Sequence, residues 1–168
     1  NNTMSDSVWD AVTFLDFDLA RLILDDGADI DAGDDDAMTA MHHAAISCED
    51  SEEQLKFLLG AGANINACSS GSATPLHWAL GGDHFDAATL LINCGANVDA
   101  RESHPEVKGW SALHYAVRMA EPEGVSVVGL MLDHGVKLEV ADERGWSTFY
   151  DVAGDVSATG VCIMLGAA

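Results

Sequence analysis

Apolar side chains recur at helical spacing in short paired runs along this chain, and glycine punctuates each pair. The clearest pair lies mid-chain. Leu76, Ala79 and Leu80 fall on one helical face behind Thr74, an N-cap residue type, and Pro75, whose missing N–H costs nothing in the first helical position. Gly81-Gly82 marks a turn, and Phe85, Ala88, Leu91 and Ile92 then trace a second helix. Gly95 closes it as a left-handed C-cap, a conformation cheap for glycine. The same pattern predicts a helix from Val8, Trp9, Ala11, Val12, Phe14 and Leu15, and another from Leu19, Leu22, Ile23 and Leu24. One such pair cannot bury its apolar face, so pairs must stack on their neighbours. Small residues such as Ala44, Ala45, Ala79 and Ala116 suit close approach of those helices.

The pairs are copies of one another. Thr74-Pro75-Leu76-His77-Trp78-Ala79 has counterparts in Thr39-Ala40-Met41-His42-His43-Ala44-Ala45, in Ser111-Ala112-Leu113-His114-Tyr115-Ala116 and, degenerately, in Ser147-Thr148-Phe149-Tyr150-Asp151-Val152-Ala153. A closing element recurs as Gly27-Ala28-Asp29-Ile30-Asp31-Ala32, Gly62-Ala63-Asn64-Ile65-Asn66-Ala67, Gly95-Ala96-Asn97-Val98-Asp99-Ala100 and a drifted Gly135-Val136-Lys137-Leu138-Glu139-Val140. Thr39 to Thr74 is 35 residues, Thr74 to Ser111 is 37 and Ser111 to Ser147 is 36, while Cys68 to Ala100 makes one unit of 33.

A 33-residue period with a T-P-L-H-x-A core resembles the ankyrin-repeat family. The resemblance implies an all-α solenoid of stacked helix-turn-helix units with protruding β-hairpin loops, used as a binding surface rather than a reaction centre. It divides the chain into an N-terminal capping repeat over 5–32, repeats over 33–67, 68–100 and 101–140, and a degenerate or truncated C-terminal repeat over 141–168. It also implies a structural role for His42, His77 and His114, each bonding loop backbone of its own or the next repeat. The excess over 33 residues reads as loop insertions. The third finger, Arg101 to Trp110, is about four residues longer than usual, and Met119 to Gly124 and Cys48 to Glu52 separate the helices of their repeats.

The 48% hydrophobic composition supplies one continuous core for 168 residues. Twenty-eight acids against seven bases leave a net charge of −21, which argues against nucleic acid and anionic membrane and points to a basic protein partner or simply to high solubility. Asp25, Asp26, Asp29, Asp31, Asp34, Asp35 and Asp36 concentrate that charge between the cap and the first repeat, as a solvated loop or as a docking site for a basic segment. No apolar run approaches the roughly 18 residues of a membrane helix. Cys48, Cys68, Cys94 and Cys162 lie in different repeats without C-x-x-C spacing, which suits the reducing cytosol or nucleus. Asn1-Asn2-Thr3 is read as an addition ahead of a natural Met4. Near the far end, Val161-Cys162-Ile163-Met164-Leu165 is almost free of charge, so either a longer array was cut there or that face self-associates; a monomer is expected otherwise.

No catalytic or metal chemistry is expected. Counted from Asp29, a calcium loop would want a ligand at Gly33, glycine at Asp34 and glutamate at Ala40, and all three fail. The histidines lack metal-ligand spacing, no nucleophile or phosphate-cradling motif appears, and no cofactor is implied. By alignment to the family pattern, finger tips fall at Asp35, Asp36, Met38, Ser70, Ser72, Trp110, Glu143, Arg144 and Trp146. His43, Trp78 and Tyr115 follow the repeat histidines onto the groove side. These positions are the expected partner-binding set, with Trp and Tyr as hot-spot residue types and packing between helices as the competing reading. Asn66, with Leu58 eight residues earlier, matches a hydroxylation pattern of the family. The alternative functions are a small-molecule or catalytic pocket beneath the long finger, using His43, Trp78, His104 and Tyr115, and an inhibitor that masks a basic surface.

Overall fold

The computed structural model describes residues 5–48, 50–104, 109–118 and 122–137. They form four helix pairs: α1 (Ser5–Thr13) with α2 (Phe17–Asp25), α3 (Ala40–Ala45) with α4 (Ser51–Gly60), α5 (Pro75–Gly81) with α6 (Phe85–Asn93), and α7 (Ala112–Arg118) with α8 (Pro122–Asp133). The first helices stack in the order α1, α3, α5, α7, and α4, α6 and α8 stack behind them. The described residues contain no strand; the fingers are tight turns, with one isolated antiparallel bridge between Arg101 and Ser111. No described helix is long and apolar enough to cross a membrane.

Stacking explains the composition of the core. Ala44, Ala45, Ala79 and Ala116 are fully buried, which allows the first helices their close approach. Met41, Leu76 and Leu113, at one repeat position, are buried with them, and Leu55, Leu58, Leu91, Ile92 and Met131 fill the second row. Each repeat histidine caps its own helix. The backbone N–H of Thr39, Thr74 and Ser111 donates to Nδ1 of His42, His77 and His114 at 3.0, 3.2 and 3.0 Å. An Nδ1 that accepts leaves the proton on Nε2, and Nε2 of His42 donates to the Ala73 carbonyl of the next finger at 3.1 Å. The His42 imidazole thus bonds both its own repeat and the following one.

A second ladder runs through the closing elements. Asp29, Asn64 and Asn97 each accept, through Oδ1, the N–H two residues ahead, at 3.0 Å in every case. Asp31, Asn66 and Asp99 then reach into the next repeat, accepting the N–H of Asn64 at 2.8 Å, Asn97 at 2.7 Å and Lys137 at 2.9 Å. Gly95, at φ +91°, turns the chain between α6 and this ladder, where a side chain would be strained.

Three expectations are corrected. Phe14 and Leu15 lie beyond α1: Phe14 is 81% exposed, and Leu15 takes φ 56° in the turn. The insertion over Met119 to Gly124 is shorter than read, because α8 begins at Pro122, a residue suited to a first helical turn where no N–H is needed. Likewise α4 begins at Ser51, with Glu52 and Glu53 in the first turn where carboxylates oppose the helix dipole. The 141–168 repeat, including Glu143, Arg144 and Trp146, lies outside the described residues.

Candidate functional site

Finger geometry is set by short polar side chains. Oδ1 of Asp34 accepts the N–H groups of Asp36 and Met38, both at 2.9 Å, which folds the first tip around Ala37 at φ 57°. Its Oδ2 lies 3.0 Å from Nε2 of His43. Burial opposes the charge of Asp34, but the Met38 N–H, the His43 side chain and the Asp36 N–H outweigh it and hold the carboxyl below its ordinary range. Adjacent fingers are tied together: Ser70 N–H donates to the Asp36 carbonyl at 2.8 Å, and Ser103 N–H to the Gly71 carbonyl at 2.7 Å. Part of the aspartate-rich run therefore builds structure, while Asp35 and Asp36 keep exposed side chains at the tip.

Between these fingers and the first helices lies a groove of about 780 Å³. Met38 and Asp36 bound it from the first finger, Trp78 and Tyr115 from α5 and α7, and Glu102 and His104 from the third. Trp78 is 37% exposed, unusual for a large apolar ring beside a fully buried core. Tyr115 is half-buried and its hydroxyl donates to Oε1 of Glu102. Glu102 is itself only 6% exposed. Burial raises its pKa, and the Tyr115 hydroxyl and the nearby His104 offset part of that rise. Burial and the Glu102 carboxylate together push the Tyr115 phenol well above its ordinary value, so it stays a donor. His77, beneath the groove, is held neutral: burial brings its pKa down to about 4. Among the described residues, no three His, Cys, Asp or Glu side chains come together as a metal site.

The structure sorts the sequence candidates into two groups. Asp36, Met38, Trp78, His104 and Tyr115 meet at the groove. His43 does not line it; its ring stacks on Trp9 of the cap at 4.4 Å and is anchored by Asp34, so it leaves the pocket set proposed from sequence. Trp110 packs on its own repeat, with the His114 ring at 5.9 Å, Tyr115 edge-on at 5.1 Å and the Arg118 guanidinium over it at 5.0 Å. Asn66 is half-buried, and both its N–H and its Oδ1 serve the ladder. Glu102 is not singled out by the sequence, and Gly81 reads there only as part of a turn, whereas it is the last residue of α5 and lines the groove. Nothing local marks a glutamate in a finger as buried, because Tyr115, which covers it, comes from the following helix.

Comparison with known proteins agrees with this geometry. The family model for ankyrin repeats, described as three copies, matches residues 48–142. Palmitoyltransferase Hip14 of Drosophila melanogaster is 32% identical over 95 residues, 56% of this chain and 14% of that protein. An ankyrin repeat protein of Rickettsia bellii is 32% identical over 93 residues, covering 54% of this chain and 51% of the relative. Another from the same bacterium is 30% identical over 129 residues, covering 73% of this chain and 34% of the relative. The matched stretches are between 14% and 51% of each relative's length, and no palmitoyltransferase activity carries over from a stretch of 14%.

Proposed function

Because the chain belongs to the ankyrin-repeat family, whose repeats mediate protein–protein interaction, we propose that it is a non-catalytic module that holds an extended segment of a protein partner along its groove. The observation that carries this reading is Trp78. Its ring stays 37% exposed in the groove floor although the same helix buries Leu76, Ala79 and Leu80 completely. Aromatic side chains in such positions supply much contact area at low entropic cost. Asp35 and Asp36 at the rim and Glu102 in the wall give the groove the sign of the whole molecule, which favours a basic partner.

The experiment is affinity capture with mass spectrometry, comparing the native chain with Trp78→Ala at matched circular dichroism. A partner that the native chain captures should bind the variant more weakly by about 2 kcal/mol, roughly 30-fold. Equal capture by both chains overturns the groove assignment. Salt separates this reading from simple masking of a basic surface, since masking alone weakens steeply with ionic strength. The small-molecule reading keeps one specific support, the size of the groove beneath the third finger, and native mass spectrometry of the freshly isolated chain tests it. The unpaired thiols of Cys48, Cys68 and Cys94 support a reducing compartment, cytosol or nucleus. Hydroxylation of Asn66 is a further proposal. Because the side chain is committed to the ladder, a modifying enzyme would have to open that turn first, and peptide mass spectrometry of natively expressed chain would reveal the added oxygen.

A further inference from the structure

Counted from the capping residues Thr39, Thr74 and Ser111, one position near the end of the first helix holds Ile46, Gly81 and Arg118 in the three repeats. The middle repeat lacks a side chain where both neighbours carry a long one. Backbone geometry does not demand glycine there. Gly81 is the last residue of α5, and a Cβ on it would meet Tyr115 Cε1 at 3.5 Å, an ordinary contact. The missing side chain leaves room in the groove between Trp78 and Tyr115.

Glu102 lines the same groove and is more than nine-tenths buried. Its Oε1 accepts from the Tyr115 hydroxyl, and His104, which lines the same groove, is the other group that favours its charged form. The guanidinium of Arg118, the cation nearest in sequence to Tyr115, is placed over the ring of Trp110 instead. A carboxylate largely kept from water is costly to hold charged, and a full cation brought to it recovers part of that cost. Neighbouring aromatic faces attract the same charge.

We propose that this depression receives the side chain of a lysine or arginine from an extended partner segment, with the cation at the Glu102 carboxylate and the alkyl stem along Trp78. The proposal rests on the groove-binding reading and names the chemistry the groove selects. Since Oε1 is already engaged, the two-pronged pairing that favours arginine is blocked, so lysine and arginine should bind within a few-fold of each other.

The test is an NMR titration of the full chain with three blocked tripeptides that carry lysine, arginine or norleucine between glycines. Lysine and arginine peptides should shift the Trp78 indole N–H and the Gly81 and Gly82 amides, with the neutral norleucine peptide at least about tenfold weaker. Glu102→Gln, which still accepts from Tyr115, should lose about tenfold for the cationic peptides, and its melting temperature at pH 7 should be unchanged or higher because no charge is buried. Gly81→Ile places in the depression the residue of the first repeat; it should keep the fold and abolish the shifts. Norleucine binding as well as lysine, lysine binding to Gly81→Ile undiminished, or shifts confined to residues 25–36 would each overturn the proposal. Partner capture distinguishes its failure from that of the underlying reading. If Gly81→Ile retains the partner and Trp78→Ala loses it, the cation pocket falls and the groove stands; if Trp78→Ala also retains it, the groove falls as well.

Discussion

His77 couples this fold to pH through a single ring. Its Nδ1 must stay unprotonated to accept the Thr74 N–H, and burial holds its pKa at about 4 against 6.5 in an open chain. Below pH 6.5 the unfolded chain takes up a proton that the folded chain refuses until about pH 4. Its contribution to stability is therefore complete above pH 6.5 and is lost progressively as pH falls toward 4, by up to about 3 kcal/mol. His42 acts in the same direction, since burial lowers its pKa too. Replacing His77 with glutamine, which can also reach back to the cap N–H but binds no proton, should flatten the melting temperature between pH 6.5 and 4; profiles parallel to the native chain would contradict this assignment. The sequence marks these histidines by their place three residues after a capping residue. It does not mark Glu102, whose burial depends on Tyr115 coming from another element.

At the level of elements, the repeats are joined by two kinds of tie, and they are not equally exposed to water. The histidine tie is buried, whereas the Asp31, Asn66 and Asp99 ladder runs along half-buried turns. Asn66→Ala removes the acceptor for the Asn97 N–H, and should lower the unfolding free energy by about 1 kcal/mol. Faster amide exchange at Asn97 than at the corresponding Asn64, still held by Asp31, would localise the loss; equal exchange at both would show that the ladder carries no load. The helix pairs themselves are legible from 3.6-residue periodicity and capping residues. Their edges are less so. Met119 to Gly124 and Cys48 to Glu52 look like loop by composition, yet proline and glutamate are residues a first helical turn accepts readily, and the helices claim them.

For the molecule as a whole, the net charge of −21 acts on folding and on binding in opposite directions. Acids crowded onto a compact stack repel one another, so added salt should raise the melting temperature, by about 3 °C for each kcal/mol of repulsion relieved. The same salt should weaken a basic partner held at the groove rim. Both trends can be followed across one sodium chloride series, by calorimetry and by titration; a melting temperature indifferent to salt would mean that the acids are already spaced far enough apart. What the sequence determined by itself is everything carried by local period and repetition: the helix pairs, the recurrence of one histidine per repeat, the closing turns and the order in which units stack. These follow from interactions spanning a few residues, restated in every repeat. The tertiary structure decided which candidates share a site. It sent His43 to the cap, laid Trp110 on its own helix and drew Glu102 under Tyr115, because each outcome depends on contacts between elements that no single repeat contains.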